Sequence, residues 1–218
     1  MTLETTINNN TFVLHCSGAM YWVEKRMLLI SDVHLGKISH FRKYGSALPG
    51  NAMYQNFVKL DNAVEYFNPE SICFLGDLFH STLNNEWGLF TEWVERTQLP
   101  IVLVAGNHDI ISPHKYDELN ITVVSERTLD GFLLTHDPEE REEHYTICGH
   151  IHPAVLLAGA GRQFLKLACF FRTPTQIILP AFGEFTGTYV MEPKEDDRVY
   201  VITKEDVVEV ERKARFNK

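Results

Sequence analysis

Apolar and polar positions fall along this chain in blocks of two kinds. Short unbroken apolar runs, at 27–30, 71–75 and 101–105, are too short for helices and read as buried strands. Between them lie stretches with helical spacing. Met53, Phe57, Leu60, Val64 and Phe67 recur at the interval of one helix face, with Gly50 or Asn51 as the cap and Asn68-Pro69 as the stop. Trp87, Phe90, Trp93 and Val94 predict a second helix that begins at Asn84 or Asn85 and ends before Pro100. Strand, helix and strand twice over is the signature of βαβ units in a parallel sheet. Upstream, residues 12–16 and 21–23 predict a hairpin turning at Ser17-Gly18-Ala19.

After Asp109 the pattern changes. Short apolar runs at 121–124, 127–129, 132–134, 145–148, 155–158, 164–168, 176–179, 199–202 and 207–210 follow one another with no helical stretch between them. Two sheets packed face to face, with helices mainly on the outside, fit both halves. No internal repeat, low-complexity tract or linker divides the chain, so a single domain over residues 1–218 is expected.

Composition narrows the function. The chain is 44% hydrophobic and 22% charged, ordinary for a soluble enzyme. Its 29 acidic against 20 basic side chains, a net charge of −9, argue against a surface that coats nucleic acid over many phosphates. They leave room for a local cationic groove, and bound divalent metals would reverse the sign inside a site. Cys16, Cys73, Cys148 and Cys169 lie in or beside apolar runs without C-x-x-C spacing and read as reduced core residues. Residues 1–6 lack the basic and apolar pattern of a leader and no run reaches membrane length, so a cytoplasmic protein with no membrane partner is expected. The acidic stretch 137–143 reads as a solvated loop, and the basic tail 211–218 as a frayed end.

The chemistry sits where the strands stop. The run 27–30 ends in Asp32-Val33-His34, whose two polar side chains would face one side of an extended segment. The others end in Gly76-Asp77-Leu78-Phe79-His80, Gly106-Asn107-His108-Asp109, Thr135-His136 and Gly149-His150-Ile151-His152. Six of the 10 histidines fall in these motifs, leaving His15, His40, His114 and His144 as structural or exposed. Asp32, His34, Asp77, Asn107, His136, His150 and His152 are nitrogen and oxygen donors that suit two divalent ions, one carboxylate bridging. The absence of cysteine among them disfavours a structural zinc. Asp109 suits either of two roles, orienting the His108 ring or capping the following turn. The loop from Lys37 also carries Arg42 and Lys43, which would be phosphate contacts or merely solvated.

These five motifs in this order resemble the calcineurin-like metallophosphoesterase superfamily. That resemblance implies an α/β fold, a four-layer α/β/β/α sandwich with two mixed sheets. It also implies two metal ions, the first held by Asp32, His34 and His152, the second by Asn107, His136 and His150, with Asp77 bridging and His108 over the substrate phosphate. The chemistry it implies is in-line attack on phosphorus by a hydroxide held between the metals, with a protonated His108 stabilising the transition state or protonating the leaving oxygen.

A narrower set, Asp32-Val33-His34-Leu35-Gly36-Lys37, His40-Phe41-Arg42-Lys43-Tyr44-Gly45, Leu48-Pro49, Gly149-His150-Ile151-His152-Pro153, Gly161-Arg162-Gln163 and Leu179-Pro180-Ala181-Phe182-Gly183-Glu184-Phe185-Thr186-Gly187, resembles the ligase-associated DNA-damage-response endonucleases. It implies a manganese-dependent nuclease, with iron or zinc as alternative metals, acting on single-stranded or branched DNA in repair beside a DNA ligase and a helicase. Lys37, Arg42, Lys43 and Arg162 would touch the flanking phosphates. Two other readings compete. A phosphoesterase for a nucleotide or lipid-linked pyrophosphate would need, in the lipid case, a lid for which the spacing between Asp109, His136 and His150 leaves little room. A non-catalytic scaffold would have lost ligands, and here every position is filled.

Overall fold

The computed structural model describes residues 1–37, 52–80, 82–159, 163–184 and 186–210. Gly50, Asn51, Arg42, Lys43, Arg162 and the basic tail at 211–218 lie outside the described residues.

The first sheet has seven strands in sequence order: β1 (Thr2–Ile7), β2 (Asn10–His15), β3 (Met20–Trp22), β4 (Met27–Ile30), β5 (Ser71–Leu75), β6 (Ile101–Val104) and β7 (Ile121–Val124). The first four pair antiparallel, and β4 to β7 run parallel. The parallel pairs require crossovers, and the apolar stripes supply them: α1 (Ala52–Phe67) joins β4 to β5 and α2 (Asn85–Thr97) joins β5 to β6. Asn84 caps α2 by accepting from the Glu86 N–H at 2.8 Å. In this half of the chain one strand and one α-helix go beyond the sequence reading. Strand β1 carries too little apolar periodicity to be seen alone, and pairs with β2 through Asn8 and Asn9, whose φ of 46° and 61° suit a tight hairpin turn. Helix α3 (Pro113–Asp117) lies in the region expected to hold strands only; at five residues, with Tyr116 as its buried residue, it shows no periodicity.

The second sheet follows the path β14 (Tyr189–Val190), β11 (Pro153–Ala158), β12 (Phe164–Arg172), β13 (Gln176–Ile178), β10 (Tyr145–Cys148), β9 (Phe132–Leu134), β8 (Arg127–Leu129). Strand β15 (Arg198–Ile202) adds to β12, and β16 (Val207–Glu209) to β15. Both sheets are mixed. Between them, Leu29, Cys73, Leu75 and Val104 pack on Phe132, Leu134, Ile147, Phe170, Ile177 and Tyr200. The other face of the first sheet, with Leu28, Ile30, Phe74 and Leu103, takes Phe57 and Leu60 of α1, Phe90 and Trp93 of α2 and Tyr116 of α3.

The fourth layer implied by the resemblance is not seen among the described residues. Cys148, Val155, Cys169, Phe171, Ile178, Val199 and Val201 cluster on the outer face of the second sheet with no residue of a described helix among them. The physical reason is visible in the chain: beyond Asp109 no long stretch carries a helix-period apolar stripe. Cys73, Cys148 and Cys169 are buried free thiols and Cys16 a half-buried one. Among the described residues no helix is long and apolar enough to cross a membrane.

Candidate metal centre

Parallel strands put their C-terminal ends on one edge of a sheet, so the turns after β4, β5 and β6 meet above the first sheet and those after β9 and β10 above the second. Backbone bonds lock the turns together: Asp32 N–H donates to Gly76 O, His34 N–H to Asp77 O, and Gly149 N–H to His136 O. Asp32 and His34 are not extended as expected. Their φ are 56° and 52°, and Asp77, His150 and His152 are left-handed too, at 49°, 66° and 53°. This backbone is costly for residues with a Cβ and gathers at functional sites.

Two clusters result. Asp32, His34 and His152 form one; Asp77, His136 and His150 form the other. In the first, His152 Nε2 lies 3.1 Å from Asp32 Oδ1 and 3.3 Å from His34 Nε2. In the second, His136 Nε2 lies 3.1 Å from His150 Nδ1 and 3.1 Å from Asn107 Oδ1. Asp77 faces both, with Oδ2 3.9 Å from His34 Nε2 and Oδ1 3.4 Å from His136 Nε2. Each cluster draws on both sheets.

The donor set fits two divalent ions. A carbonyl can only accept, so His136 Nδ1 donates to Leu75 O at 2.9 Å and His152 Nδ1 to Gly187 O at 3.1 Å. These bonds fix the tautomers and leave each Nε2 lone pair for a metal. Asp32 Oδ1 is buried with no hydrogen-bond partner among the described residues, as a carboxylate oxygen awaiting a cation would be. The other oxygen of Asp32 accepts from Ser31 Oγ and from His150 N–H.

Protonation differs between the clusters. Burial lowers His34 to about 3 in spite of Asp32 and Asp77, so it is neutral. Burial would lower His136 as well, but the Asp77 carboxylate and the Leu75 carbonyl outweigh it and raise it to about 9. Burial would raise Asp77; the hydrogen bond and charge of His136, with the His108 N–H, pull it down to about 2. A proton on His136 therefore does part of a cation's work in the metal-free protein. At neutral pH a metal entering the second cluster should displace it, releasing about one proton per chain. Affinity there should weaken as pH falls below about 9. Calorimetry in buffers of different protonation enthalpy would measure this; uptake with no proton released would contradict it.

His108 stands beside the clusters and in neither. Its backbone N–H donates to Asp77 Oδ1 at 2.9 Å. Its half-buried ring lies 5.7 Å from the His34 ring and stacks on His80 at 5.0 Å, the planes 27° apart. His80 is the residue that sequence reasoning left without a role; its signal was its place three residues after Asp77. Asp109 settles between its two readings by taking neither. It accepts from Gly106 N–H at 2.9 Å and Phe79 N–H at 3.1 Å, tying this loop to the one after β5, and its carboxyl is pushed up by burial to about 6. Gly106 is required by close approach: a Cβ there would stand 2.4 Å from Asp77 Oδ1 and 2.5 Å from Asp77 N.

A strap from the second sheet braces the first cluster. Phe182 N–H donates to Ser31 O and Gly183 N–H to Asp32 O. Asn56 of α1 donates to Val33 O and accepts from Glu184 N–H, while Lys59 donates to Phe182 O at 2.7 Å. A Cβ on Gly183 would stand 2.1 Å from Val33 O, a backbone atom. Gly183→Ala should therefore push the 32–34 turn aside and weaken metal binding about 10–100-fold, as loss of a supporting contact does, with the circular dichroism spectrum retained. Unchanged metal affinity would show that the strap only fills space.

Of the expected phosphate contacts only Lys37 is described. Its backbone N–H donates to His34 O at 3.3 Å, and burial lowers the pKa of its half-buried ammonium while Asp32 and Asp77 pull the other way. His15 packs on Tyr66 and Phe67, His114 is exposed and His144 half-buried; His40 lies outside the described residues.

The calcineurin-like phosphoesterase family model matches residues 25–178. The solved structure of the Pseudomonas putida nuclease MPE aligns with a TM-score of 0.77 at 27% identity, over 96% of this chain and 100% of that one. The E. coli phosphoesterase Yfce aligns at a TM-score of 0.44 and 14% identity, over 84% of this chain and 97% of that one. A protein of unknown function from Aquifex aeolicus, AQ665, aligns at 0.42 and 21%, over 58% and 78%. No curated protein matches the chain in sequence.

Proposed function

The chain belongs to the calcineurin-like phosphoesterase family and is a metal-dependent phosphodiester hydrolase, and from that premise we propose that it is an endonuclease for single-stranded or branched DNA, working in repair with two manganese ions. The observation that carries the reading is Asp77, whose two oxygens each face a histidine of a different cluster. One negative charge shared in this way lets two cations sit close together. Asp32, His34 and His152 would hold the first metal, and Asn107, His136 and His150 the second. Together the ions would neutralise phosphoryl oxygens and activate water. The chain's own part is to fix imidazole tautomers through Leu75 O and Gly187 O, to hold Asp77 through the His108 N–H, and to offer the His108 ring to the phosphate or leaving oxygen. The shared inter-sheet core supports one catalytic domain over residues 1–218.

DNA as the substrate is supported by likeness to a nuclease along almost the whole chain. A strand held at few phosphates reconciles that substrate with 29 acidic against 20 basic side chains. The test is a panel of single-stranded, hairpin, flap and duplex DNAs with Mn2+, beside bis(p-nitrophenyl) phosphate. Faster cleavage of blunt duplex than of single strands, or hydrolysis of the small diester alone, would overturn the reading. With about 2–4 phosphate contacts, the single-strand salt slope of about −0.7 per contact stays shallow. Lys37→Ala should raise KM for DNA by about 3- to 10-fold, the loss expected of one charge-assisted contact, and leave hydrolysis of the small diester nearly unchanged. An unchanged KM for DNA would remove Lys37 from the phosphate contacts. Arg42, Lys43 and Arg162 are proposed to share this role. Functional association with a DNA ligase and a helicase in the cytoplasm belongs to the same proposal.

A further inference from the structure

The edge of the second sheet next to the metal centre carries exposed apolar residues, and among the described residues no further strand pairs with it. Strand β14 is the end strand of its path and runs parallel to Pro153–Ala154, directly after the ligand His152. Tyr189 N–H donates to His152 O at 2.9 Å, and two residues earlier Gly187 O receives His152 Nδ1. Tyr189 therefore grows from the backbone that orients a metal ligand, yet its side chain is 66% exposed. On the same face of the sheet the strip continues along β11 to the half-buried Leu157 and its register partner Leu165, which is 57% exposed. Single exposed apolar side chains mean little, but a contiguous run that begins at a catalytic centre marks a binding surface.

We propose that Tyr189 is a stacking platform for an unpaired nucleobase beside the scissile phosphate, with Leu165 extending the track. The inference rests on the nuclease reading. With the metals on one phosphate, this edge is within reach of the nucleotides on one side of it. The face of an unpaired base matches an exposed phenol ring whatever its identity. In a duplex the base faces are already stacked, so the same ring also selects for single strands.

The experiment uses wild-type protein, Tyr189→Ala and Tyr189→Phe with Mn2+, a single-stranded oligonucleotide, its abasic counterparts and bis(p-nitrophenyl) phosphate. Tyr189→Ala should raise KM for the oligonucleotide about 5- to 150-fold, the range for removing a stacking aromatic, while metal content and turnover of the small diester, which has no base, stay as in wild type. Tyr189→Phe should restore the wild-type KM. An abasic site at one position flanking the cut should weaken the wild type as the alanine variant is weakened, and should not weaken that variant further. An unchanged KM in Tyr189→Ala, or a phenylalanine variant as weak as alanine, overturns the inference and leaves the nuclease reading intact. The same follows if Tyr189→Ala keeps its KM but breaks up a dimer, since the edge would then belong to a second copy of the chain. A wild type that hydrolyses the small diester and no DNA overturns the nuclease reading itself, and the platform with it.

Discussion

Asp77→Asn should bind at most about one metal ion per chain and lose about 10³-fold or more in turnover. The substitution keeps the shape of the side chain and an oxygen to receive the His108 N–H, so the loop geometry is preserved. What it removes is charge. Asp77 Oδ2 lies 3.9 Å from His34 Nε2 and Oδ1 lies 3.4 Å from His136 Nε2, so this carboxylate faces both clusters. Without its negative charge, two dications in adjacent pockets repel each other across a buried space where screening is weak. The second cluster also loses its only carboxylate, leaving His136, His150 and the neutral Asn107. Metal analysis of the purified variant and its rate on bis(p-nitrophenyl) phosphate decide the matter. Two metals with normal turnover would rule out the bridging role.

His108→Ala should behave in the opposite way, keeping both metals and lowering kcat by about 10²–10⁴. The bond from residue 108 to Asp77 is made by its backbone N–H, which alanine retains, and its ring is in neither cluster. The loss should depend on the leaving group. If the ring protonates the departing oxygen, a DNA alkoxide suffers far more than nitrophenolate, which leaves easily without a proton. If it only stabilises charge on the phosphoryl oxygens, both substrates lose alike. An unchanged kcat, or a variant that no longer binds metal, would remove His108 from the catalytic machinery.

The local pattern carried most of this. Apolar runs placed β4, β5 and β6, and the stripes through Phe57 and Phe90 placed α1 and α2, because each of these elements buries a face whose period is written in the chain. The motifs after the strands also brought their ligand types to one edge, since parallel pairing leaves no other place for them. Four things were not legible. Strand β1 depends on its partner β2 more than on its own apolarity. The bond from Asp109 to Phe79 N–H crosses 30 residues and has no local signal. The glycines of the motifs look like turn residues, whereas Gly106 is there because the Asp77 carboxylate occupies the space of a Cβ. Tyr189 was invisible for a related reason: its strand has two residues, and only pairing with Pro153–Ala154 brings it to the metal centre.

That each cluster takes ligands from both sheets has a consequence for how the protein comes into being. Asp32, His34 and Asp77 are made early, but the first cluster closes only with His152 and the second only with His136 and His150. A growing chain on the ribosome can finish the whole first sheet and still own no complete binding site. These are contacts of long sequence separation, the kind formed late in folding. Metal choice then falls to a protein whose sheets have already met, so the ion it acquires reflects the free-metal pool where folding ends as much as the ligands themselves.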